Sequence, residues 1–163
     1  MASLPEVLKA ELGRELHNIF VGPGGVADLD SMGHLRGRTL PSGLGRWEDC
    51  AGAYIERTLL IGDRPTPTPD VVLHEAGHAL DELRGDLSGR PLFRAVYQTC
   101  LPALTLPTHL LPGELGRREL FADAFAALRA EATVELLGWL SGERQLLLLV
   151  DAYFRQEFPE LRW

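Results

Sequence analysis

Two cysteines, Cys50 and Cys100, are too few to staple a chain of 163 residues, which excludes a disulfide framework and makes free buried thiols the expectation. Lysine is scarcer still, with Lys9 alone among arginines, a bias that points to GC-rich coding and to no chemistry. Basic residues as a whole fall short: 16 against 23 acidic ones give a formal charge of -7, a repulsive average field for nucleic acid. Long hydrophobic runs are missing too. The run Leu146 to Val150 is far shorter than the roughly 20 residues needed to cross a bilayer, so no membrane span is expected. The opening "MASLPEVLKAELG" lacks a secretory leader's apolar core, because Glu6, Lys9 and Glu11 interrupt it. Cytoplasmic action, or export by a leaderless effector route, is the resulting expectation.

What is present suits one domain: 45% hydrophobic and 24% charged residues over this length fill a single core. Ser3 and Glu6 are spaced as a capping box, and Leu8, Leu12, Leu16 and Ile19 recur at helical intervals, predicting a helix from Pro5 to Phe20. Gly22 to Gly52, rich in glycine, reads as a long surface excursion. A strand is expected over Ala53 to Ile61. Asp70 then caps a helix over "VVLHEAGHALDEL". Further helices are expected from Ser88, over "ELGRRELFADAFAALRAEA", and over Val134 to Leu140 and Glu143 to Phe158.

In "HEAGH" two histidines stand four residues apart, so on a helix His74 and His78 share a face while Glu75 lies about 100° round the axis. Two imidazoles so placed hold a zinc ion, and a glutamate too far round to ligate reaches the water that the ion activates and takes its proton. A catalytic zinc takes a third protein ligand and leaves one position open. Asp81 is excluded, since it lies about 10 Å from His74 along the same helix axis. The metzincin extension fails as well, because position 84 holds Arg84 rather than histidine.

The remaining candidate is "RRELFADAFAAL", where Glu119 and Asp123 share a helix face flanked by Phe121, Ala122 and Phe125. Two carboxylates turned toward a core call for a cation: Glu119 as third ligand, Asp123 as acceptor for the outer nitrogen of a ligating histidine. Glu114 is a weaker candidate. Gly77, costly inside a helix by roughly 1 kcal/mol relative to alanine, implies that another backbone approaches that face. Asp81 is assigned to support of the site or the helix end. His17 and His34 read as surface residues.

"HEAGHALD" with "ELFADAF", its Glu119 lying 41 residues after His78, resembles the protease domain of anthrax lethal factor and its bacterial relatives, including the Pro-Pro endopeptidases. The likeness spans about Gly52 to Leu128, and the segment "GAYIERTLLIG" resembles that family's strand before its active-site helix. The resemblance implies a mainly helical α+β, zincin-like single domain with one zinc ion. It implies His74, His78 and Glu119 as gluzincin-type ligands, Glu75 as base, Asp123 in the place of a supporting glutamate, and a peptide or protein substrate. One position departs from the pattern: the family's transition-state tyrosine, seven residues before the third ligand, is Pro112 here. His109, Tyr97 and Tyr54 are the candidate replacements, with His109 first.

Two rivals stand beside the endopeptidase reading. One is the regulatory metallopeptidase class associated with phage-repressor cleavage, which also follows H-E-x-G-H with a glutamate helix but lacks the "FADAF" match. The other is a non-catalytic binding module that retains zinc.

Overall fold

The structure is a computed structural model, and it describes residues 4–161. Ser3, half of the expected capping box, lies outside them. The chain folds as a mainly helical α+β structure: among the described residues six helices pack around one core, with a three-stranded sheet on one side.

The first helix, α1, spans Glu6–Glu15 and buries Leu8 and Leu12. It ends well before Phe20, because Leu16 is already extended and Asn18–Val21 forms strand β1. The helical spacing of Leu16 and Ile19 misleads here: Ile19 stays 45% exposed, and backbone pairing with a distant strand outcompetes a helix of β-branched and aromatic residues. The expected single strand is a hairpin. Its strands are β2, Gly52–Ile55, and β3, Thr58–Ile61, joined by Glu56 and Arg57 at φ 47° and 60°. Strand β3 is central, parallel to β1 and antiparallel to β2.

Between β1 and β2 the excursion has its own small core of Val26, Ala27, Leu29 and Leu35 against Leu60, with Trp47 packed on it. Two short 3-10 turns, Val26–Asp28 and Gly33–Leu35, are its regular structure. Helix α2 runs Val71–Leu83, and the Asp70 carboxylate accepts from the Leu73 N–H at 3.0 Å, as expected of a cap.

Helix α3, Pro91–Cys100, starts later than Ser88. Ser88 instead donates its N–H and hydroxyl to Asp81, and Pro91 takes the first helical position, where its missing N–H costs nothing. A 3-10 turn at Pro107–Leu110 leads into α4, Leu115–Arg129, followed by α5, Thr133–Trp139, and α6, Arg144–Glu157.

Helix α4 runs through the centre. Its Phe121 and Phe125 meet Phe93 of α3, Phe154 of α6 and Phe158, with ring centroids 5.1 Å apart for Phe93 and Phe121 and 5.5 Å for Phe125 and Phe158. Its opposite face meets α2. Cys50 and Cys100 are free thiols. Among the described residues no helix is long and apolar enough to cross a membrane.

Candidate metal centre

Helix α2 presents His74 and His78 on one face, their Nε2 atoms 3.1 Å apart. Across the α2–α4 contact, Glu119 places Oε2 3.7 Å from His74 Nε2 and Oε1 3.5 Å from His78 Nε2. Donors bonded tetrahedrally to one zinc at about 2.0–2.2 Å stand about 3.3–3.6 Å apart, which these three separations bracket. The three residues therefore form a group able to hold a metal ion, and it is the group that the spacing of the two motifs predicts.

The electrostatics point the same way. His74 Nδ1 lies 2.7 Å from Asp123 Oδ1 and donates to it, so that in the neutral ring Nε2, turned toward His78 and Glu119, is the nitrogen left to ligate. Burial disfavours charge on His74, but Asp123, Glu75 and Glu119 outweigh it and push the imidazole up to about 10. His78 is driven well below its ordinary value by burial and by the charge on His74. These opposite shifts favour one proton on the pair across the 3.1 Å between the facing nitrogens, and a divalent cation would satisfy both nitrogens and the carboxylate together.

Glu75 follows His74 on α2, lines the same cleft as the three donors and is 4% exposed. Burial pushes its carboxyl up to about 7, with Glu119 and Asp123 adding to the shift while His74 and the Tyr54 N–H oppose it. Sequence reasoning missed Gly52. A Cβ there would stand 2.6 Å from Val71 Cγ2 and 2.7 Å from Glu75 Oε1, so a larger residue at the start of β2 would push the Glu75 carboxylate aside. A glycine in a strand is a recognised sign of close approach, and that signal was available.

Asp123 lies behind the His74 ring, its Oδ1 2.7 Å from Nδ1. Asp81 does not join the cluster: it is 1% exposed, accepts two bonds from Ser88 and so ties the turn that follows α2, with Arg118 Nε 3.8 Å away. His109, expected as a donor to the reacting oxygen, is elsewhere. It is fully buried behind Asp123, with Nε2 2.8 Å from Asp123 Oδ2, and it lines no part of the cleft. The other two stand-ins are committed as well: the Tyr97 hydroxyl donates to the His109 carbonyl at 2.8 Å and that of Tyr54 to Glu82 at 3.1 Å. Glu114, His17 and His34 are exposed.

A cleft of about 480 Å³ opens over His74, Glu75, His78 and Glu119. The excursion supplies one wall with Leu44 and Trp47, Pro65 and Pro67 a second, and Leu111 and Arg118 a third. Cys50 also lines it, but its thiol donates to the Gly52 carbonyl at 2.9 Å, and burial pushes it up to about 11 in the metal-free protein.

No protein-family model and no curated protein sequence matches the chain. Among solved structures it is similar to the Pro-Pro endopeptidase from Paenibacillus alvei, with a TM-score of 0.63 over 94% of this chain and 85% of that one. At 16% identity the likeness is one of fold.

Proposed function

We propose that the chain is a zinc-dependent endopeptidase of gluzincin type, acting on a peptide or protein substrate that lies in the cleft. The observation that carries this reading is the convergence of His74, His78 and Glu119 at tetrahedral donor separations beside a buried Glu75 whose carboxyl burial pushes up to about 7. The shared fold with a Pro-Pro endopeptidase supports it.

His74, His78 and Glu119 would hold the ion, which when bound would supply an acidified water and a Lewis acid for a peptide carbonyl. Asp123 fixes the His74 ring through Nδ1 and raises the donor strength of Nε2. Glu75, with a carboxyl poised near neutrality, accepts the proton of the attacking water and passes it to the departing amine. The wall formed by the excursion screens this exchange from bulk solvent and orients an extended peptide.

A non-catalytic zinc-binding module is the second reading. Pro112 favours it, since proline offers no side-chain donor to a developing oxyanion, and the nearby hydroxyls are committed elsewhere. A proteome-derived peptide library incubated with wild type and Glu75→Gln separates the two. New termini from wild type alone establish the endopeptidase, whereas zinc-loaded wild type that cuts nothing favours the module.

A further inference from the structure

We infer that His109 is a positioning residue for the metal centre: it clamps the second oxygen of Asp123 and thereby fixes the ring of His74. The inference rests on the metal-centre reading above and extends it one layer deeper into the core.

Asp123 is 3% exposed, and each of its oxygens serves a different histidine: Oδ1 takes His74 Nδ1 at 2.7 Å and Oδ2 takes His109 Nε2 at 2.8 Å. With one bond alone, the carboxylate could rotate about its terminal torsion and leave the other oxygen buried and unsatisfied. Two opposed bonds set its plane, and that plane sets the direction in which His74 Nε2 points. Asp123 is held well below the usual carboxylate range: burial opposes this, but His74 and His109 outweigh it. It remains a charged acceptor in the core.

His109 is itself held from three sides. The Tyr97 hydroxyl donates to its carbonyl at 2.8 Å, Trp139 meets its ring edge-on with centroids 5.8 Å apart, and a Cβ on Gly116 would stand 2.4 Å from its carbonyl oxygen. The corner between the Pro107–Leu110 turn and α4 therefore closes only with glycine at 116. His109 Nδ1 is buried with no hydrogen-bond partner among the described residues. A site that required only bulk would carry leucine or phenylalanine and avoid that orphaned nitrogen. The bond from Nε2 to Asp123 is the feature that distinguishes histidine from an apolar residue here.

Zinc affinity, read by chelator competition, tests this on wild type, His109→Phe and His109→Gln, each with its thermal unfolding curve. Phenylalanine keeps the packing on Trp139 and removes the donor; glutamine carries an N–H to the place of Nε2. We expect the folded Phe variant to bind zinc at least about 10-fold more weakly, the scale seen when outer partners of metal-bound histidines are lost, and the Gln variant to recover most of that loss. A folded Phe variant with wild-type affinity, or a Gln variant as weak as Phe, overturns the inference. Should the Phe variant not fold, nitrogen NMR of the wild-type imidazoles decides instead: protonated Nε2 with bare Nδ1 on His109 supports the clamp, and the opposite tautomer overturns it. Wild type that binds no zinc at all is a separate outcome, which overturns the metal-centre reading and this inference with it.

Discussion

Gly77 on α2 faces Ala122 on α4 so closely that a Cβ on Gly77 would stand 3.0 Å from the Ala122 Cα and 3.3 Å from its carbonyl oxygen. This contact of two backbones draws the histidine face of one helix onto the carboxylate face of the other. Gly77→Val would wedge them apart. We expect a loss of about 1–3 kcal/mol in urea unfolding, from overpacking, together with weaker zinc binding. Unchanged stability and affinity would mean that the two helices are not held at this separation.

Glu119→Gln keeps the shape of the side chain but removes the anionic donor. We expect titration calorimetry to show a drop in zinc affinity larger than the roughly 10–100-fold associated with an outer partner. Glu114→Gln serves as its control. Glu114 is exposed at the start of α4, and its variant should bind zinc as wild type does.

The carboxyl of Glu75 sits at about 7 in the folded chain against 4.5 as the reference value. Between those values the folded metal-free chain keeps a proton that the unfolded chain has released, so stability falls as pH rises through the window, by up to about 3 kcal/mol. Glu75→Gln removes that slope. The difference in unfolding free energy, wild type minus Glu75→Gln in chelator, should decline from pH 4.5 to 7 and level off above it. A difference that stays flat would show that Glu75 is not desolvated.

Glu56 and Arg57 form a two-residue hairpin turn with both φ values positive, a conformation that favours Asn-Gly. Replacing the pair by Asn-Gly relieves about 1 kcal/mol of left-handed strain at position 57, where glycine enters, and less at 56, where asparagine tolerates the conformation better than glutamate. It also gives up the exposed ion pair of Arg57 with Glu15 at 3.3 Å, worth about 0–1 kcal/mol. The expected net effect is a melting temperature about 2–4 °C higher, by calorimetry; a lower one would contradict the turn geometry.

Periodicity alone located the helices that carry the site, because α2 and α4 are long and patterned and Asp70 marks the start of α2. It failed where pairing partners are distant. Leu16 and Ile19 continue the pattern of α1, yet Asn18–Val21 joins β3, some forty residues away, and no local window contains that competitor. The hairpin was hidden similarly, since Glu56-Arg57 is not a pair that usually signals a two-residue turn.

The same division runs through the site. Spacing on one helix put His74 and His78 on a common face, and the Glu119–Asp123 pair pointed to where a third donor could come from, because helical geometry is local and repeats every 3.6 residues. Only the tertiary structure decided that Asp81 serves the helix end, that His109 stands behind Asp123 instead of in the cleft, and that Gly52 makes room for Glu75. Each of those depends on which side of a packed core a side chain faces, and that is set by the contacts between elements, which the order of residues along one element does not contain.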